Sequence, residues 1–104
     1  MLTTTTTIPK VALRTLTELT GEPRPEIALL ITLRDAVEHR LEKIDAAIRA
    51  YEQKYGMSFE QFQNRGQNES IPQQFSYEVE SDYLEWDGLI SRKRKIEGIR
   101  QWLI

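Results

Sequence analysis

The chain lacks the residue types on which many protein functions depend. It has no cysteine and a single histidine, His39, among 104 residues. Disulfides and thiolate metal sites are therefore excluded, and a reducing compartment is the natural expectation. The five glycines are isolated from one another, so no glycine-rich phosphate-binding loop is present.

Long hydrophobic runs are also missing. No run of 18 apolar residues occurs, and the opening "MLTTTTTIPK" has neither the basic start nor the apolar core of a secretory signal. We therefore expect a cytoplasmic protein without a membrane partner. His39 is expected on the exposed side of a helix, with no serine or cysteine nearby in sequence to act as a nucleophile. The sequence predicts no enzyme, no catalytic residue, no cofactor and no metal site.

Charge is unevenly distributed along the chain. The net charge of −2 argues against a general nucleic-acid binder. Residues 56–91 carry seven acidic side chains and one basic one, whereas residues 92–104 carry one acidic and five basic. The basic segment fits a solvated helix end, where cations favour the helix dipole, and it also fits a patch for phosphates or an acidic partner. Both interpretations stay open from the sequence.

Helical periodicity is the clearest signal in the chain. From Pro25 to Tyr55 a stripe repeats at alternating spacings of three and four, which predicts a long helix with a coiled-coil-like apolar face. The stripe consists of Ile27, Leu30, Arg34, Val37, Leu41, Ile44, Ile48, Tyr51 and Tyr55. A second long pattern runs from Ser76 to Leu103 and drifts around its helix after the "RKRK" segment. The apolar spacing from Lys10 to Leu19 predicts a short helix, which Gly21 and the two prolines after it would end.

The stretch "YGMSFEQF", residues 55–62, predicts a corner between helices. Gly56 suits a left-handed helix end, and Ser58 with Gln61 has the spacing of a capping box. Met57 and Phe62 are placed to pack as a hydrophobic staple. A short helix from Phe59 and a polar loop, residues 64–74, are then expected before the second long helix.

These patterns predict an all-α fold. We expect a long antiparallel helical hairpin with helices over about 25–55 and 76–103, short N-terminal and corner helices, and completion by dimerisation. Residues 1–8 are expected to form a flexible or strand-like tail, and residues 9–104 a single helical domain. Two helices alone bury little apolar surface, so a homo-oligomer or another partner is expected. The sequence leaves open whether the long helices pair within or between chains.

Residues 16–41, "LTELTGEPRPEIALLITLRDAVEHRL", resemble the helical half of ribbon-helix-helix proteins. Those proteins form intertwined dimers whose N-terminal strands enter the DNA major groove, and many are antitoxins. The resemblance places Thr4–Thr7 and Lys10 near DNA. Such strands normally carry Arg, Lys or Asn, and here no basic side chain precedes Lys10.

A second resemblance covers residues 51–62 and 77–89. "KYGMSFEQF" and "ESDYLEW" are similar to motifs of small helical prokaryotic proteins that look like antitoxins of toxin–antitoxin pairs. The resemblance implies a cognate toxin as partner, a small nuclease-like protein, and it implies no catalytic residue.

The leading hypothesis is a non-enzymatic, antitoxin-like protein that neutralises a basic toxin through an aromatic and acidic helical surface. The alternatives are a ribbon-helix-helix-like DNA-binding regulator and a structural coiled-coil adaptor. The predicted partner-binding residues are Tyr77, Glu80, Tyr83, Glu85 and Trp86, although the spacing of Tyr83 and Trp86 fits a core equally well. Residues that would contact nucleic acid or an acidic partner are Lys10, Arg92, Lys93, Arg94 and Lys95. Pairing of Arg92–Lys95 with the acidic segment of a dimer mate is a further hypothesis.

Overall fold

The structure, a computed structural model, describes residues 7–103, which form four helices. They are α1 (Lys10–Thr20), α2 (Pro25–Tyr55), α3 (Phe59–Gln67) and α4 (Tyr77–Trp102). The predicted all-α class and the bounds of both long helices are thereby confirmed to within one residue. The predicted tail, residues 1–8, falls mainly outside the described residues.

The ends of the helices follow from local sequence. Gly21 ends α1 in the left-handed conformation with φ of 74°, and Pro25 is the first residue of α2. Gly56 ends α2 in the same way, with φ of 66°, which a residue with a Cβ atom adopts only at a cost. Proline at a helix start loses no hydrogen bond, because its missing N–H would have no partner inside the helix.

The corner between α2 and α3 forms as the sequence predicts. The backbone N–H of Gln61 donates to Ser58 Oγ at 3.2 Å, and the backbone N–H of Ser58 donates to Gln61 Oε1 at 3.0 Å. This reciprocal pair is the predicted capping box. Met57 packs against the cluster that contains Phe62, as the staple requires. The corner therefore starts α3 with the backbone N–H groups of Ser58 and Gln61 both hydrogen-bonded.

The helices α2 and α4 form the predicted antiparallel hairpin. Near the start of α2, Arg34 Nε donates to the Leu103 carbonyl at 3.3 Å. Near its end, the Tyr55 hydroxyl donates to Asp82 Oδ2 at 2.6 Å. Between these two contacts, Asp45 of α2 pairs with Lys93 of α4 at 2.8 Å, which shows that the two helices keep the same register along the hairpin. Pairing within one chain is thus the arrangement that this structure shows.

Nine of the eleven buried hydrophobic residues in the described range form two clusters along the hairpin. One joins Leu41, Ile44 and Ile48 of α2 to Ile96 of α4. The other lies at the corner end, where α3 and the following loop cover the start of α4. Its buried members are Phe59, Phe62, Ile71, Val79 and Trp86. Phe62, Ile71 and Val79 of the second cluster also line a surface groove between α3 and α4.

The loop prediction for residues 64–74 needs a correction. Helix α3 continues to Gln67, so the loop begins at Asn68. Within it, Ile71 is only 7% exposed and packs into the core. The Gln74 side chain holds this turn, since its Nε2 donates to the Gly66 carbonyl at 2.8 Å. An isolated isoleucine in a polar run carries no periodicity, so the pattern could not mark it as core.

The molecule is elongated. Its radius of gyration is 19.8 Å, whereas a compact domain of this length has about 13 Å. Helix α1 packs on α2 and contains no buried residue. The hairpin is confirmed, and its completion by dimerisation stays a prediction.

Candidate protein-binding surface

Trp86 is the centre of the corner cluster. Its ring centroid lies within 6 Å of four other aromatic rings, at 5.6 Å from Tyr51, 5.9 Å from Tyr55, 5.3 Å from Phe59 and 5.2 Å from Phe62. The residue is fully buried, with 0% exposure. Trp86 is therefore a core residue, which corrects its placement on the partner-binding surface. Its burial follows from the corner, because α3 brings two phenylalanines over the indole.

Tyr83 lies at the boundary between core and surface. It is half-buried, and its ring packs at 5.6 Å from Phe59 and 6.1 Å from Phe62. Its hydroxyl reaches the outside and accepts a hydrogen bond from Gln63 Nε2 at 3.3 Å. Tyr83 thus supports a surface that α3 and α4 share.

That surface contains a groove between α3, the loop after it and the first turns of α4. The groove encloses about 470 Å³. Its apolar floor and walls come from Phe62, Ile71, Phe75, Val79, Tyr83 and Leu84. At its edges Phe75 is 71% exposed and Leu84 is 68% exposed. Tyr77, 87% exposed, stands on the same stretch of α4. Apolar side chains in such positions are typical of contact sites for other proteins.

The acidic residues of α4 divide into two sets by their contacts. Glu78 and Asp82 face α2, where Lys54 Nζ contacts them at 2.8 Å and 2.6 Å. Glu85 also faces α2 and accepts a hydrogen bond from the Tyr51 hydroxyl. Glu80 lies on the other side, lines the groove, and has no ion pair among the described residues. Of the acids predicted to bind a partner, Glu80 is therefore free and Glu85 is engaged within the chain.

The contacts with α2 shift the pKa values of the groups involved. Partial burial opposes ionisation of Asp82, but hydrogen bonds from Lys54 and Tyr55 offset it and hold its pKa below the usual range. Burial and the Asp82 carboxylate raise the pKa of Tyr55 to about 12. The hydrogen bond to Glu85, together with burial, raises the pKa of Tyr51 to about 12. These groups link α2 and α4 at neutral pH.

The basic residues of α4 lie beyond the groove. Lys93 is half-buried and pairs with Asp45 of α2, and this pairing raises its pKa. The other three side chains of the segment, Arg92, Arg94 and Lys95, are exposed. Lys10 is exposed at the start of α1, which packs on α2. The structure therefore does not bring the predicted basic contacts into one continuous site.

The His, Asp and Glu side chains of residues 7–103 do not cluster as the ligands of a metal ion would. No group of three or more His, Asp or Glu side chains in this range could hold a metal ion. His39 is exposed, as the sequence predicts.

The sequence did not predict Phe75 and Ile71 as parts of a surface. The signal that could have found Phe75 is its position as a lone aromatic residue next to the N-terminal cap of α4.

Across residues 7–103, every helix is either too short or too polar to cross a lipid bilayer.

Comparison with protein-family models, with curated protein sequences and with solved structures gives no match for this chain. The resemblance to antitoxin-like proteins therefore rests on the two sequence motifs alone and stays a prediction. The same holds for the ribbon-helix-helix resemblance.

Proposed function

We propose that this protein is a non-enzymatic, antitoxin-like binding protein that neutralises a basic toxin protein in the cytoplasm. The observation that carries the proposal is the groove between α3 and α4, with exposed Phe75 and Leu84 at its edges and Glu80 on its wall. The groove offers apolar contact area, which supplies affinity when a partner covers it.

Charge selects the kind of partner. The groove lies within residues 56–91, which carry seven acidic side chains and one basic one. Glu80 lines the groove, and Glu60 and Asp87 are further exposed acids of this segment of the chain; none of the three makes an ion pair among the described residues. Acidic side chains around the groove attract a basic protein and speed its encounter with the groove. A toxin that cleaves nucleic acid has a basic surface, since it must bind phosphates. An apolar groove with an acidic rim fits an amphipathic helix that carries Lys or Arg beside its apolar side chains.

The alternative functions have no comparable support in the described residues. A DNA-binding regulator would read DNA with Thr4–Thr7, of which only Thr7 lies in the described range. Its basic contacts lie on different helices, Lys10 on α1 and Arg92–Lys95 on α4. A structural adaptor accounts for the long hairpin but not for the acidic rim of the groove.

The test is co-purification of the tagged chain with the product of its neighbouring gene, followed by mass analysis and affinity measurement. We expect a stoichiometric complex with a small basic protein, and a loss of its toxic activity in the complex. Phe75→Ala combined with Leu84→Ala should weaken the complex at least tenfold, because both side chains would contact the partner directly.

The matched control is Leu19→Ala on α1, where the side chain is 74% exposed and far from the groove. It should leave affinity unchanged. A chain that purifies alone, or a complex as sensitive to Leu19→Ala as to the groove variant, would contradict the proposal.

A further inference from the structure

Helix α4 does not reach the first residues of α2. In the register of the hairpin, Leu103 lies beside Arg34, and α4 ends at Trp102. The segment of α2 from Pro25 to Leu33 therefore extends past the end of α4. At 1.5 Å per residue, this segment is about 13 Å long.

The α4-facing stripe nevertheless continues into this segment. Leu30 and Leu33 precede Leu41 and Ile44 by eleven residues, which is three turns of an α-helix, so they lie on the same side. Leu41 and Ile44 are 4% and 7% exposed, whereas Leu30 and Leu33 are 40% and 41% exposed. The stripe thus has apolar residues on both sides of Arg34, and α4 covers only the part that follows it.

Helix α1 does not cover this side of α2. Ala28, fully buried at 0% exposure, is sixteen residues before Ile44 and so lies about 160° around the helix from it. Since α4 does not reach Ala28 and α1 packs on α2, the buried alanine marks the side that α1 occupies. Leu30 and Leu33 therefore face away from α1.

The exposed surface is larger than that of an average compact monomer of the same mass. The chain has 8183 Å² of solvent-accessible surface, and a compact protein of 12.2 kDa has about 6,100 Å². The seven residues outside the described range can account for at most about 1,100 Å² of this excess. At least about 1,000 Å² remains, and each partner in a standard interface buries about 800 Å².

Charge indicates which partner can cover this face. Residues 7–36 contain four basic and four acidic side chains, so two copies can approach without net repulsion. In a two-fold dimer each patch meets itself. The acidic groove would then be repelled by its own copy, whereas the start of α2 would not.

We propose that the first part of α2, with Leu30 and Leu33 at its centre, is a homodimer interface that packs against the same face of a second copy. The recess at the end of α4 borders this face and encloses about 410 Å³ between Arg34, Val37, Arg100 and Leu103. With the two-fold axis perpendicular to α2, the partner's α2 runs antiparallel to this one and lies beside the recess. The inference goes beyond toxin binding and leaves the groove between α3 and α4 accessible in the dimer.

The first test is the oligomeric state of the full chain by analytical ultracentrifugation at micromolar concentration. We expect twice the chain mass for the wild type and a single chain mass for Leu30→Glu combined with Leu33→Glu. Both leucines are partly exposed, so circular dichroism should show an unchanged helix content. Leu84→Glu, in the groove, is the matched control and should stay dimeric. A monomeric wild type, or a dimer that Leu84→Glu breaks and the double variant does not, would overturn the proposal.

The second test uses the absence of cysteine. In a chain carrying only Leu33→Cys, the two thiols lie near the two-fold axis, and a short bifunctional maleimide should link most of the protein into covalent dimers. Leu84→Cys should give little linked dimer under the same conditions. Equal linking of the two variants would place the interface elsewhere. Because neither test involves the toxin, failure of the toxin-binding proposal would not affect the result.

Discussion

The ring of Tyr51 stacks on the indole of Trp86, with centroids 5.6 Å apart and ring planes inclined by 18°. The same tyrosine donates a hydrogen bond from its hydroxyl to Glu85, the residue before Trp86. The side chain of Tyr51 on α2 therefore makes both an apolar and a polar contact with α4. This relationship connects the corner cluster directly to α2.

Trp86 is the residue whose truncation should cost the most stability. Trp86→Ala leaves a cavity among four rings and should lower the free energy of unfolding by about 3–5 kcal/mol. Trp86→Phe should cost less than about 2 kcal/mol, because it keeps most of the ring contacts and removes an indole N–H that has no hydrogen-bond partner among the described residues. Urea unfolding followed by circular dichroism measures both. If both variants lose the same free energy of unfolding, the contacts between the aromatic rings do not account for the stabilising effect of Trp86.

Two glycines should respond to alanine in opposite directions. Gly56 has φ of 66°, so Gly56→Ala should destabilise the protein by about 1 kcal/mol, although a Cβ there meets nothing within 4 Å. Gly88 lies inside α4 with the same open space and an ordinary helical conformation. Gly88→Ala should therefore stabilise the protein by about 0.5–1 kcal/mol. The pair is compared by urea midpoints, and a stabilising Gly56→Ala would contradict the left-handed helix end.

The sequence predicted the elements of the fold better than the surface. Alternating spacings of three and four marked Leu41, Ile44 and Ile48 correctly, because a helix must bury such a stripe wherever its partner comes from. The same pattern could not say that Trp86 is core, since core and interface residues repeat with the same spacing. Trp86 became core through α3, a tertiary contact that no local pattern encodes. The groove was missed because Ile71 and Phe75 come from a segment without periodicity.

Asp82 should make the protein sensitive to acid. Its pKa is lowered in the folded state, so its contribution to stability is full above its ordinary value of 3.8 and is lost as the pH falls below it. At pH 7, Asp82→Asn should cost about 1–2 kcal/mol, because it removes the charge that pairs with Lys54 and weakens the hydrogen bonds from Lys54 and Tyr55. The difference between wild type and variant should shrink below pH 4.

The control for Asp82 is Asp87→Asn, five residues later in α4. Asp87 is exposed and makes no ion pair among the described residues. Its replacement should change stability by less than about 0.5 kcal/mol at either pH. Equal effects of the two substitutions would show that net charge, and not the contact with α2, determines the acid response.

Tyr51 and Tyr55 should limit stability in alkali. Their pKa values rise from 10.0 to about 12 in the folded protein. The unfolded chain therefore loses these protons first, and stability that is full below pH 10 should fall as the pH approaches 12. Tyr51→Phe combined with Tyr55→Phe keeps the rings and removes the titrating groups, so this variant should lose less stability over that range. Unfolding measured between pH 9 and pH 12 compares the two proteins, and parallel curves would exclude these hydroxyls as the cause.

The groove and its acidic rim should affect different rate constants of the toxin complex. Charges at the rim of an interface steer the encounter, whereas buried apolar contacts set how long the complex lasts. Glu80→Lys should therefore slow association and weaken its dependence on salt, and Leu84→Ala should mainly speed dissociation. Surface plasmon resonance at two ionic strengths separates the two effects, with Glu18→Lys on α1 as a control of equal charge change. If Glu18→Lys slows association as much as Glu80→Lys does, the net charge of the chain attracts the partner and the rim of the groove has no special role.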